Sequence, residues 1–239
     1  ISYKLYGIIN GIDYEYFSPK AGTDIYESYT EKSLDDGKRK NKLALQSELQ
    51  LSVDDEIPLI VMITRLTETK GIDLILHIID ELLSERVQLV ILGSGDEVYE
   101  SALRAKGEKF DNLKVIIGFD RAMSKKLYAA ADIFLMPSKS EPCGLAQMIA
   151  CSYGTVPIVR ETGGLYDSIK PYGNGGNGFT FASCNAYDML YVIHEALNTY
   201  KNKEQWVALM KKAATTDFSW SYSANEYKKL YEDTYNSWN

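Results

Sequence analysis

Leu59-Ile60-Val61-Met62-Ile63-Thr64-Arg65-Leu66-Thr67-Glu68-Thr69-Lys70-Gly71-Ile72 joins two different periodicities. Residues 59–64 form a short continuous apolar run rich in branched side chains, as expected of a strand buried on both faces. From Ile72 onward the apolar residues Ile72, Ile75, Leu76, Ile79 and Leu83 recur at helical spacing, which predicts a helix over 72–84. The same alternation continues down the chain. Strands are expected at 88–92, 113–117, 133–136 and 156–159, with a weaker one at 178–181. Helices are expected at 124–131, 145–153, 187–199, 203–214 and 222–235, the last with Tyr227, Leu230, Tyr231 and Tyr235 on one side. Repeated strand-helix units specify an α/β fold, a Rossmann-like doubly wound parallel sheet. Ligands of such sheets sit beyond the carboxyl ends of the strands, so the loops after each strand are where chemistry is sought.

Residues 1–55 lack this alternation. Asn10-Gly11-Ile12-Asp13, the Ser18-Pro19 pair and a charged run over 35–42 point to a connecting segment and an exposed loop leading to a short helix. The repeating domain is then 56–239, and Asn174-Gly175-Gly176-Asn177-Gly178 reads as a flexible loop before its last strand.

Three strand-to-helix loops carry candidate chemistry. In the first, Arg65 and Lys70 stand five residues apart beside a helix start with free amides, a suitable receiver for a diphosphate. The alternative is a solvated Arg and Lys flanking Glu68. The second is Met136-Pro137-Ser138-Lys139-Ser140-Glu141-Pro142-Cys143-Gly144-Leu145, in which Gly144 permits close backbone approach and Glu141 stands at the mouth of a site. A carboxylate there orients sugar hydroxyls or stabilises an oxocarbenium charge; equally, it is a glutamate favoured by a helix start. In the third, Thr162-Gly163-Gly164-Leu165, the glycines serve backbone approach to a ligand or a tight turn.

Taken in order, Asn10-Gly11-Ile12-Asp13, Arg65-Leu66 with Lys70-Gly71, Glu141-Pro142-Cys143-Gly144-Leu145 and Thr162-Gly163-Gly164-Leu165 resemble the bacterial glycogen synthases and plant starch synthases. The resemblance runs through nearly the whole chain and implies the carboxyl-terminal, nucleotide-sugar-binding half of a GT-B glycosyltransferase. Such enzymes transfer glucose from ADP-glucose to the non-reducing 4-hydroxyl of an α-1,4-glucan with retention. By the same likeness Arg65 and Lys70 bind the diphosphate and Glu141 contacts the glucosyl unit. Cys143, Gly144, Leu145, Thr162, Gly163 and Gly164 then belong to the donor pocket, and Phe119 stands where an aromatic ring stacks on adenine; the alternative for Phe119 is an ordinary core residue. ADP-glucose is a substrate, so no cofactor and no metal are implied. The acceptor glucan is held through an amino-terminal domain that this chain does not contain, so the chain alone is expected to transfer little, and the helix over 222–235 is expected to leave its aromatic face partly exposed. A cytoplasmic location, or a plastid in a plant, goes with the family. Two positions depart from the pattern. Ala146 replaces a frequent threonine, and Ile149 occupies the place where many related transferases carry a second glutamate.

Rival readings are weaker. Leu92-Gly93-Ser94-Gly95-Asp96 lacks the third glycine of a dinucleotide fingerprint, and a tight turn is the better reading. His77 and His194 lie on separate helices and suit packing or surface roles. Another retaining UDP-sugar transferase of the same fold and a non-catalytic glucan- or nucleotide-binding module remain as alternatives; exposed tryptophans would favour the latter, whereas Trp206, Trp220 and Trp238 suit packing. The 26 Lys and Arg against 33 Asp and Glu give a net charge of −7, which argues against nucleic acid and acidic membrane surfaces as partners. No run approaches the roughly 20 apolar residues of a membrane span. Cys143, Cys151 and Cys184 lack the spacing of a disulfide framework or a zinc site. The start at Ile1 rather than Met leads to the expectation of a piece of a longer chain.

Overall fold

The computed structural model describes residues 5–20, 24–173 and 175–238; residues 1–4 and 21–23, and Asn174 of the expected 174–178 loop, lie outside the described residues. Its centre is a six-stranded sheet of β1 (Leu59–Ile63), β2 (Gln88–Gly93), β3 (Leu113–Ile117), β4 (Ile133–Met136), β5 (Val156–Arg160) and β6 (Phe179–Phe181). The order is β3-β2-β1-β4-β5-β6 and every pairing is parallel. That order reverses between β1 and β4, the switch point at which sheets of this kind open a crevice.

The helices are α1 (Leu34–Glu48), α2 (Ile72–Leu83), α3 (Glu97–Lys109), α4 (Arg121–Ala130), α5 (Ala146–Ser152), α6 (Gly163–Ser168), α7 (Ala186–Tyr200), α8 (Lys203–Ala214) and α9 (Trp220–Trp238). α2 buries Ile72, Ile75, Ile78, Ile79 and Leu82 in the core almost without exposure. Each such side chain contributes roughly 1.5–3 kcal/mol by leaving water. Side-chain caps fix the starts of α4, α7 and α8, where Asp120, Asn185 and Asn202 accept backbone N–H groups. No helix among the described residues is long and apolar enough to cross a membrane.

The stretch before β1 differs from an exposed loop. The charged run over 35–42 lies within the fifteen-residue α1, and Lys38, Asn41, Lys42 and Gln46 on that helix are buried. Further upstream, Ile12 bridges to Ser219 and its N–H donates to the Phe218 carbonyl at 2.8 Å. The first described residues are thereby laid along the start of α9. A side chain on Gly11 would fall 2.3 Å from the Trp220 nitrogen, so this approach requires glycine.

α9 itself is largely solvated. Tyr222, Tyr231 and Tyr235 are at least half exposed, and Tyr227 is 39% exposed. Trp206 is buried edge-on against Tyr200, as packing predicts, but Trp220 is 52% exposed, and the Trp238 side chain lies outside the described residues. His77 meets Tyr187 edge-on, and His194 Nε2 lies 2.6 Å from Glu85.

Candidate functional site

The loops after β1, β4 and β5 are tied into one framework by backbone and buried side-chain contacts. Lys139 N–H donates to the Thr69 carbonyl at 2.8 Å, joining the first loop to the second. The Lys139 ammonium meets Asp73 at 2.7 Å and Glu68 at 2.9 Å, and these carboxylates hold it well above the usual lysine range. Arg160, at the end of β5, donates from Nε to the Ser138 carbonyl at 3.0 Å and from its guanidinium to the Lys139 carbonyl. Gln147 reaches back from α5, donating to the Gly144 carbonyl at 2.9 Å and to Ser168 Oγ at 3.0 Å.

Gly163 and Gly164 complete the framework. Gly164 N–H donates to the Glu141 carbonyl at 3.0 Å. A side chain on Gly163, whose φ is +46°, would begin 2.2 Å from the Glu141 carbonyl oxygen, and one on Gly164 would begin 2.1 Å from that of Cys143. Both glycines therefore serve the close approach of the loop over 141–143 to the start of α6. Thr162 is the residue before that helix and Leu145 the one before α5, with Leu145 45% exposed.

On this framework Lys70 and Glu141 form an ion pair, with side chains only 15% and 10% exposed. Ser138 Oγ lies 3.3 Å from the same Glu141 oxygen. The pair carries no net charge. Half-buried Cys143 accepts the Asn10 N–H on its sulfur at 3.4 Å, so the amino-terminal motif abuts the second loop.

A cavity of about 580 Å³ opens beyond the carboxyl ends of β1, β2 and β3; of the candidate residues Arg65 and Phe119 line it, whereas Lys70, Glu141, Cys143 and the Gly163-Gly164 pair lie outside its lining. Ser94, Tyr128 and Ile149 also line it, and Tyr16 and Phe17 are contributed by the amino-terminal segment. Phe119 is 83% exposed and so is no core residue; the Arg121 guanidinium stands 5.7 Å from its ring centre. Arg65 is exposed, its carbonyl accepts the Thr67 N–H at 3.0 Å, and its guanidinium makes no hydrogen bond or ion pair with the described residues. Of the two candidate phosphate cations, Arg65 is thus the free one and Lys70 the one already partnered.

The Gly93-Ser94-Gly95 segment is more than a turn. A side chain on Gly93 would begin 1.8 Å from the Thr64 carbonyl, and the Leu66 N–H donates to the Ser94 carbonyl at 2.9 Å, so this segment supports the loop that carries Arg65. Sequence reasoning missed Tyr16, Phe17 and Lys125 as cavity residues, and it gave Arg160 no role. For Arg160 a signal existed: a cation at the carboxyl end of a central strand, directly before the third loop. For the others none did, because the fold brings them together from distant parts of the chain.

The chain belongs to the family of glycosyl transferases group 1, whose model matches residues 47–213. Its sequence is 48% identical over 236 residues to the glycogen synthase of Clostridium botulinum and 49% identical over 236 residues to that of Natranaerobius thermophilus. These matches cover 97% and 95% of this chain but 49% and 47% of the relatives. The catalytic domain of starch synthase IV from Arabidopsis thaliana, solved bound to ADP and acarbose, superposes with a TM-score of 0.89 at 38% identity, over 97% of this chain and 49% of that one. The chain spans about half the length of the relatives it matches.

Proposed function

We propose that this chain is the donor-binding half of a glycogen or starch synthase, acting in the cytoplasm on ADP-glucose and extending an α-1,4-glucan at its non-reducing end with retention. The observation that carries the reading is the pairing of an unpartnered arginine, Arg65, with an exposed aromatic ring, Phe119, in one cavity beside the switch point of the sheet. An aromatic face and a free guanidinium are what a nucleoside diphosphate needs at its two ends. The solved starch synthase, which binds ADP and acarbose, supports the same assignment.

In this reading adenine stacks on Phe119 and the diphosphate reaches Arg65 and Lys70. Lys70 has three N–H donors and shares them between Glu141 and a phosphate oxygen. Glu141 then faces the glucosyl unit, while Cys143, Gly144 and Leu145 on one loop and Thr162, Gly163 and Gly164 on the other border the donor. When the bond between the anomeric carbon and the diphosphate breaks, negative charge grows on the leaving oxygen, and cations already in place stabilise it. The glucan and the remaining wall of the cleft come from a second domain, whose closure excludes water.

Isothermal titration tests the donor site. ADP and ADP-glucose are expected to bind more tightly than their uridine counterparts, and Arg65→Ala to weaken ADP by roughly 1–3 kcal/mol with the melting temperature unchanged. Uridine nucleotides binding as tightly as ADP, or an Arg65→Ala protein that binds ADP like the wild type, would contradict the reading.

A further inference from the structure

Lys125 lies in α4, six residues beyond Phe119, and lines the same cavity. Its side chain is 8% exposed, yet its nearest carboxylate, Asp24, is 3.7 Å away and itself 65% exposed. Its nitrogen faces the Tyr16 ring, 3.9 Å from the ring centre. No hydrogen bond joins the ammonium to any described residue. An ammonium carries three N–H donors, and burying them without acceptors is costly. The other buried lysines differ in having acceptors: Lys38 and Lys42 each reach three oxygens. A buried cation left with a ring face and no acceptor, beside an open cavity, is set to receive an acceptor from the cavity's occupant.

The surroundings select which part of a nucleotide that is. Tyr16, Phe17 and Tyr128 line the same cavity, with Tyr16 and Phe17 edge-to-face at 4.8 Å between ring centres, so the lining around Lys125 is aromatic. A diphosphate is better served by Arg65 and Lys70. Adenine brings ring nitrogens as acceptors. We propose that Lys125 is a specificity-determining residue that donates a hydrogen bond to a ring nitrogen of the adenine, with the Tyr16 ring holding its ammonium in place. The proposal rests on the donor-site reading above.

The test is titration of wild type and Lys125→Met with ADP, with inorganic pyrophosphate and with the 1-deaza, 3-deaza and 7-deaza analogues of ADP. Lys125→Met is expected to bind ADP roughly tenfold to a hundredfold more weakly, the scale of a hydrogen bond to a charged group, and to bind pyrophosphate as the wild type does. One deaza analogue should bind the wild type as weakly as ADP binds the variant, and the two changes together should cost no more than either alone. The variant should melt no lower than the wild type, because methionine keeps the buried stem while removing a charge whose one carboxylate neighbour is exposed and which has no hydrogen-bond acceptor. ADP affinity unchanged in Lys125→Met, pyrophosphate affinity falling in step, or all three analogues binding the wild type like ADP would each overturn the proposal. The analogue series on the wild type decides the matter even if the variant folds poorly. A wild type that binds pyrophosphate but no adenine nucleotide overturns the donor-site reading itself, a separate and recognisable result.

Discussion

Two pairs of cations, Lys38 with Lys42 and Arg65 with Lys125, sit at opposite ends of the sheet and are held differently. At the amino ends of β4 and β5, Lys42 forms a 2.6 Å ion pair with Asp132 and also donates to the Asp55 carbonyl and the Tyr200 hydroxyl, each at 2.9 Å. Asp132 in turn accepts the Leu59 N–H at 2.8 Å, tying the pair to the start of β1. Lys38 donates to Thr155 Oγ1 at 2.7 Å and to the carbonyls of Tyr128 and Ala129. At the carboxyl ends, the Arg65 guanidinium has no partner among the described residues, and the Lys125 ammonium has a carboxylate 3.7 Å away but no hydrogen-bond acceptor there. Lys38 and Lys42 use every donor in holding α1 to the sheet, whereas Arg65 and Lys125 keep donors to spare beside the cavity.

The comparison breaks first, if it is wrong, at Lys42. Removing it strands Asp132 as an unpaired buried carboxylate, so Lys42→Ala is expected to cost about 3–5 kcal/mol of unfolding free energy in urea titration. Lys125→Met, in the same measurement, should cost nothing. Equal losses at the two sites would erase the distinction.

A smaller effect sharpens it. Burial pushes the Lys38 ammonium down from its ordinary value of 10.5 to about 7, with the neighbouring Lys42 charge acting in the same direction and Asp132 opposing. Between those two values the unfolded chain binds a proton that the folded chain does not, so stability rises with pH across that window. Below about pH 7 both states are protonated and the burial penalty is paid in full. The slope of unfolding free energy between pH 7.5 and 9.5 is therefore expected to exceed that of Lys38→Met by up to about 1.4 kcal/mol per pH unit. Parallel slopes would mean that Lys38 stays charged when folded.

Much of the architecture was legible because the central strands are buried on both faces and read as apolar runs. β3 and β4 begin and end where the pattern places them, and β1, β2, β5 and β6 differ by one residue at an end. α1 was obscured for the opposite reason: part of its buried face is Lys38, Asn41, Lys42 and Gln46, which no apolar periodicity registers. α3 buries only Leu103 and so carries almost no stripe. In the site, Arg65, Lys70, Glu141 and Phe119 stand in loops directly after strands, where the parallel-sheet rule directs attention. The paired glycines were open between ligand approach and a turn; what they approach is the backbone of Glu141 and Cys143. Tyr16, Phe17 and Lys125 become neighbours only when the amino-terminal segment folds across α4, a long-range contact that local pattern does not encode.

The claim that the open cations at the carboxyl end form the donor site is tested most directly by a crystal structure of the chain grown with ADP. The account predicts the adenine against Phe119 with a ring nitrogen within hydrogen-bond reach of Lys125, and the diphosphate on Arg65 and Lys70. ADP found instead at the opposite end of the sheet, in the cavity of about 150 Å³ lined by Lys38, Lys42 and Lys203, would contradict it.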